Sequence, residues 1–85
     1  YTSSKLALWM ATKSLAKEMI SKGVRVNMVS PGYLENAIDL PTDLSILPQG
    51  QPVSLSETAK LIAFLLKDNQ SITGQNIEIA GGVRL

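Results

Sequence analysis

The 85 residues contain no cysteine and no histidine. That removes disulfides, thiolate chemistry and the usual zinc ligand sets together, so no metal site is expected, and it fits a reducing compartment such as the cytoplasm. Aromatic residues make up only 5% of the chain and charged residues 18%, with a formal net charge of +1. The lysines and arginines are scattered rather than clustered, which gives no basic stripe for nucleic acid. No apolar run approaches the ~20 residues that span a bilayer, and the first residues are not a charged stretch leading into an apolar signal core. Neither a membrane nor a nucleic acid is therefore expected as a partner. What is present is a hydrophobic content of 45%, ordinary for a soluble globular segment and far from that of a disordered chain. A chain this short makes one domain at most and buries only about 60–65% of the surface its unfolded form exposes.

From Thr2 to about Lys22 there is no glycine or proline. Leu6, Trp9, Met10, Ala16, Met19 and Ile20 recur at three- and four-residue intervals, which predicts a helix, and Leu8, Ala11 and Leu15 widen its apolar stripe. A face so broad is covered on more than one side. Gly23 stands where a left-handed C-cap falls, with Lys22 suiting the negative end of the helix dipole. Residues 24–29 are rich in β-branched side chains and run into Ser30-Pro31-Gly32, a strand followed by a tight turn. Residues 33–53 carry Pro41, Pro48, Gly50 and Pro52 without sustained periodicity, a long loop with one short helical turn, and loops of that length in compact proteins are usually functional. Ser54 and Glu57 have the spacing of a capping box ahead of a helix through Leu55, Ala59, Ile62, Ala63 and Leu66 to about Lys67. After a turn at Thr73-Gly74, residues 75–80 alternate polar and apolar, a second strand.

Helix, strand, loop, helix, strand is the order of a right-handed crossover with two parallel strands. The reading is α/β, and the strands at 24–29 and 75–80 are expected to be adjacent and parallel. Two parallel strands fall short of an independent sheet, because parallel sheets have several strands and both faces covered. The segment is expected to be a piece of a larger doubly wound domain.

Tyr1 and Lys5 have the i, i+4 spacing that places a phenol and an ammonium on one helical face. Moving a phenol from its usual ~10 toward ~7, so that it trades protons at neutral pH, takes about 4 kcal/mol. An ammonium ~4 Å away supplies roughly that much at an effective dielectric of ~20 but only about 1 kcal/mol in bulk water. The pair makes a general acid/base only inside a partly dry cleft. Taken alone, it reads as two residues on a solvated helical face.

Three further segments stand with it in a fixed order. The Tyr1-x-x-x-Lys5 pair resembles the active-site signature of the short-chain dehydrogenase/reductases. Asn27-Met28-Val29-Ser30-Pro31-Gly32 is similar to that family's Asn-x-Val-x-Pro-Gly strand and turn. Ile72-Thr73-Gly74-Gln75 through Ala80-Gly81-Gly82 resembles its closing strand and double glycine. With the capped helix between them, the likeness covers nearly the whole chain, and the 3-oxoacyl-(acyl-carrier-protein) reductases are the members it is most similar to.

The resemblance implies a Rossmann-like sheet and an NAD(P)H-dependent oxidoreductase acting on a carbonyl or alcohol, with NADP(H) favoured over NAD(H). Tyr1 would be the acid/base at the substrate oxygen, while Lys5 would lower its pKa and bind the nicotinamide ribose. Pro31 and Gly32 would let the backbone approach the nicotinamide, and Leu34 with Asn36 would meet its carboxamide. Asn36 is commonly threonine in the family, and Ala80 stands where many members carry an acidic or amide residue. Tyr33, Ile38, Leu40 and Leu44 fall where relatives build the pocket for a small-molecule or acyl-thioester carbonyl substrate.

The family's glycine-rich phosphate turn and its active-site serine are not found in these residues. Residues 1–85 are therefore expected to be the C-terminal fragment of a single Rossmann-type domain whose dinucleotide-binding N-terminal half is absent, and to be inactive alone. The resemblance also implies a homodimer or homotetramer when intact, with Trp9 and Met10 in the interface. Asn27 is expected to satisfy neighbouring backbone, Glu57 to cap its helix and Glu78 to be a solvated strand position. The alternative reading is an inactive segment retained for oligomerisation or interaction.

Overall fold

The computed structural model describes residues 3–83. In chain order the elements are α1 (Ser3–Met19), a 3₁₀ turn (Ile20–Lys22), β1 (Met28–Pro31), a second 3₁₀ turn (Leu44–Ile46), α2 (Leu55–Lys67) and β2 (Asn76–Ile79). β1 and β2 pair in parallel, with Met28 opposite Asn76 and Pro31 opposite Ile79. The expected α/β order and the adjacent parallel strands are both present.

α1 ends as its sequence requires. Gly23 adopts φ 73° and its N–H donates to the carbonyl of Ile20, a left-handed stop open to glycine without steric cost. The buried line of α1 is narrower than its apolar stripe: Thr12 and Ala16 are buried and Trp9 and Met19 half-buried, a 3-4-3 spacing. Thr12 enters this line by donating its hydroxyl to the carbonyl of Leu8 at 2.8 Å, which removes the cost of burying it. Leu6, Leu8, Met10, Leu15 and Ile20 remain exposed. α1 meets the rest of the chain at Gly74, where a β-carbon would stand 3.5 Å from the Ala16 side chain.

β1 begins four residues later than its β-branched run suggests. Over residues 25–27 the facing chain is the turn before β2, and beside one backbone bond, from the N–H of Gly74 to the carbonyl of Val26 at 2.8 Å, side chains supply the pairing a ladder would. The N–H of Val26 donates to Thr73 Oγ1 at 3.1 Å, Asn27 Nδ2 donates to the carbonyl of Ile72 at 2.8 Å, and Asn27 Oδ1 accepts from the N–H of Gln75 at 3.1 Å. Asn27 thus serves neighbouring backbone, as expected. The ladder proper starts where the N–H of Met28 donates to the carbonyl of Gln75 at 2.8 Å. It runs two residues further than expected, through Ser30 into Pro31. The donors of Met28 and Gly32 face β2, so by strand alternation the missing N–H of Pro31 falls on the opposite edge, where a strand tolerates proline.

α2 starts at Ser54, whose Oγ accepts from the N–H of Glu57 at 2.9 Å. A second acceptor arrives from 20 residues away: Glu35 Oε1 takes the N–H of Leu55 at 3.1 Å. The core is small, formed by Ala16, Met28, Leu47, Val53, Leu65 and Ala80 with Ser30 fully enclosed. Residues 33–53 contribute Leu47 and Val53 to it, so the long loop is a packed part of the fold.

The chain as a whole is open. Its radius of gyration is 14.6 Å, against about 12 Å for a compact domain of 85 residues. Its accessible surface is 5936 Å², where a self-contained monomer of its mass exposes about 4,900 Å².

Candidate active site

The carboxyl ends of the two strands lie side by side. Past β1 the N–H of Gly32 donates to the carbonyl of Ile79 at 3.1 Å, which holds the Pro31-Gly32 turn against the end of β2. The loop then folds back on itself: the N–H of Val53 donates to the carbonyl of Tyr33 at 2.7 Å, and the N–H of Glu35 to the carbonyl of Val53 at 3.0 Å. This parallel bridge between Leu34 and Val53 uses the groups on either side of Leu34. The N–H of Leu34 is left without an acceptor among the described residues. Two consecutive turns follow, closed by Ala37 N–H to the carbonyl of Leu34 at 3.0 Å and Leu40 N–H to that of Ala37 at 3.3 Å.

These segments and the start of α1 enclose a cleft of about 320 Å³, lined by Lys5, Pro31, Gly32, Tyr33, Asp39 and Val83. Lys5, Pro31, Gly32 and Tyr33, far apart in sequence, therefore converge on one space. Tyr1 lies outside the described residues. Of the other candidates, Leu34 is half-buried in its bridge, Asn36 is exposed on the first turn, and Leu40 and Leu44 are half-buried. Ile38 is fully exposed at the tip of the second turn. These five do not border the cleft.

Two residues that do border it escaped the sequence reading. Asp39 is an isolated acid in a loop without periodicity, and only the second turn brings it to the cleft. Val83 follows a double glycine whose left-handed backbone, φ 61° at Gly81 and 84° at Gly82, turns the chain back toward β1. A signal for Asp39 existed in its position seven residues past Gly32 of the Pro-Gly turn, within reach of two short turns.

A larger cavity of about 440 Å³ lies between the approach to β1 and α2, bordered by Arg25, Asn27, Val29, Ile62 and Leu65. Its polar groups are already committed. Arg25 Nη1 donates to the carbonyl of Leu65 and to Asn69 Oδ1, both at 2.8 Å, and the Asn27 amide serves Ile72 and Gln75. With its polar groups so engaged and the rest of its walls apolar, it has the character of a packing surface, and the strand-end cleft is the chemical candidate.

A family model described as enoyl-(acyl carrier protein) reductase matches residues 1–84. The chain belongs to the short-chain dehydrogenase/reductase family. Among curated proteins it is 40% identical to the 3-oxoacyl-(acyl-carrier-protein) reductase of Thermotoga maritima, over 98% of this chain and 37% of that protein. It is 36% identical to the 3-oxoacyl-(acyl-carrier-protein) reductase of Salmonella typhimurium and 36% identical to the acetoacetyl-CoA reductase of Allochromatium vinosum, with the same coverage. The chain thus spans little more than a third of the length of these relatives. Among the described residues no helix is long and apolar enough to cross a membrane.

Proposed function

We propose that this chain is the C-terminal part of an NAD(P)H-dependent carbonyl reductase, the rest of whose doubly wound sheet covers the faces left open here. The observation that carries the reading is the convergence of Lys5 with Pro31, Gly32 and Tyr33 on one cleft at the carboxyl ends of parallel strands, the place where open α/β sheets bind their ligands. The family membership and the likeness to reductases of 3-oxoacyl thioesters support it.

The residues present suit a nicotinamide nucleotide. Lys5 offers an ammonium with donors for ribose hydroxyls, and Leu34 offers an N–H lacking an acceptor among the described residues, suited to a carboxamide oxygen beside Asn36. Pro31 and Tyr33 supply apolar surface for a ring. A cleft of about 320 Å³ is at the small end of ligand sites, which fits one portion of a dinucleotide. When bound, the reduced nicotinamide supplies hydride to the substrate carbon.

The chain's own residues handle the proton. Tyr1, four residues before Lys5 in sequence, donates its phenolic proton to the carbonyl oxygen, or accepts it in the reverse direction. Lys5 favours the phenolate by its charge and holds the ribose. Tyr33, Ile38, Leu40 and Leu44 supply apolar surface to an acyl chain once the remaining segments enclose the loop. NADP(H) is favoured over NAD(H), and a cytoplasmic homodimer or homotetramer is the expected assembly, as the resemblance to the short-chain dehydrogenase/reductases implies. A role in association alone is the second reading, favoured by the exposed Leu6, Leu8, Met10 and Leu15 of α1.

The test is Tyr1→Phe in the full-length protein that carries this chain. NADPH binding, followed by nucleotide fluorescence, persists, while reduction of a 3-oxoacyl thioester falls by about 10²–10⁴, the contribution of a general acid. Undiminished turnover removes Tyr1 from the mechanism. Absence of both NADPH and NADH binding by the unsubstituted protein rejects the reductase reading in favour of association.

A further inference from the structure

We infer that Asp39 is a specificity-determining residue of the cleft, selecting carbonyl substrates that present an N–H or O–H donor and rejecting those with an anionic group beside the carbonyl. The inference rests on the reductase reading and goes beyond it by naming the substrate class. Among the described residues that line the cleft, Asp39 is the one carboxylate. It is held there by the turn that the N–H of Leu40 closes onto the carbonyl of Ala37 at 3.3 Å, with Asp39 at the second central position. Ile38, beside it, projects fully into solvent, while Asp39, itself exposed, stands at the border of the cleft.

The Asp39 carboxylate takes part in no hydrogen bond or ion pair among the described residues. Its two oxygens therefore keep their acceptor capacity. This distinguishes it from Asp43 nearby in sequence, whose Oδ1 is taken by the N–H and hydroxyl of Ser45 at 3.1 and 2.6 Å. Around Asp39 the walls are the apolar surfaces of Pro31, Tyr33 and Val83 and the cation of Lys5, which the proposed mechanism assigns to the cofactor and to Tyr1. A substrate group near Asp39 thus meets an acceptor and a negative charge. An anion about 5 Å from it is disfavoured roughly fourfold at the dielectric of water and about three-hundredfold at an effective dielectric of ~20. A neutral 3-oxoacyl thioester bearing an amide N–H satisfies the site; the free 3-oxo acid of the same chain does not.

The experiment compares kcat/KM of the full-length protein with NADPH on two substrates, a 3-oxobutanoyl thioester of N-acetylcysteamine and free 3-oxobutanoate. Asp39→Asn is expected to lower the thioester-to-acid preference at least tenfold. In the unsubstituted protein added salt weakens the preference, whereas in the variant salt has little left to screen. A purely structural role would depress both substrates by one factor and leave the ratio and its salt dependence unmoved, and that result overturns the inference. So does failure of Asp39→Asn to reduce the free acid any better relative to the thioester. Lack of turnover of both substrates by the unsubstituted protein overturns the reductase reading itself, and the specificity inference with it.

Discussion

Gly32 lies directly against Ala80: a β-carbon at position 32 would stand 2.9 Å from both Cα and Cβ of Ala80 and 3.1 Å from its carbonyl oxygen. The backbone of Gly32 is outside the left-handed region, so glycine is needed here for space. The clash involves atoms that every non-glycine residue at position 80 carries. It therefore accounts for Gly32 and leaves the choice of alanine at 80 unexplained.

Gly32→Ala should for that reason push the Pro31–Tyr33 turn away from the end of β2, with no flexible side chain available to yield. Overpacking of this kind costs about 1–3 kcal/mol, and the shift deforms the cleft that Pro31, Gly32 and Tyr33 line. Thermal unfolding of the full-length variant should show a lowered Tm together with weakened NADPH binding. An unchanged Tm would mean that the two strand ends separate freely.

Arg25 ties the approach to β1 to the far end of α2. Its guanidinium accounts for the carbonyl of Leu65 and for Asn69 Oδ1, and a cation at a helix C-terminus also opposes the dipole. Arg25→Met keeps most of the length and removes these bonds. Since hydrogen bonds to charged groups contribute about 1.5–3 kcal/mol, urea unfolding should show a loss of about 2 kcal/mol. Arg25→Lys should recover only part of it, because an ammonium has no counterpart to the second guanidinium nitrogen, which donates to the carbonyl of Leu66 at 3.5 Å.

Much of this frame is legible in the sequence because it is local. Gly23 stops a helix, Ser54 starts one, and the alternation at 75–80 marks a strand whose crossover partner is parallel. The misjudged start of β1 has a tertiary cause: β-branched residues favour extension over 24–27, yet whether extension becomes a ladder depends on the facing chain, and there Thr73 and Asn27 pair by side chains. The loop hid more. Glu35 capping Leu55 and Asp39 reaching the cleft both depend on the fold-back fixed by Tyr33 and Val53, a contact between residues 20 apart without a periodic signature. The breadth of the apolar stripe on α1 was legible, and Leu6, Leu8 and Met10 are indeed uncovered by the rest of the described chain.

Asp43 gives a pH signature to the loop. Its carboxyl pKa is held below the ordinary carboxylate value by the side-chain and backbone hydrogen bonds of Ser45. A depressed folded-state pKa means that the turn is supported above the ordinary carboxylate pKa, and that the support is lost as pH falls through the lowered value. Ser45→Ala removes the hydroxyl donor but keeps the N–H, so the Asp43 titration followed by carboxyl NMR should move part of the way back up. A titration that does not move would assign the depression to the backbone donor alone.

Lys5 carries the electrostatic part of the proposed chemistry, and its substitution separates two functions. Lys5→Met is similar in length and uncharged, so it removes the field on Tyr1 while keeping the packing of the stem. In the full-length protein the apparent pKa of the acid/base step should rise toward the ~10 of an unassisted phenol, and the rate near neutrality should fall with it. Lys5→Ala should do the same and also vacate the space of the stem, weakening NADPH binding further if the stem packs in the cleft. If the lysine acts only by binding the ribose, both variants raise KM for NADPH and leave the pH profile at saturating nucleotide where it was. Since Lys5 lies on the same cleft as Asp39, Lys5→Met also removes the one cation among the described residues that line that cleft. The variant should therefore reject the free 3-oxo acid more strongly than the unsubstituted protein does. A pH profile that stays in place at saturating NADPH would confine Lys5 to nucleotide binding and return the acidity of Tyr1 to other groups.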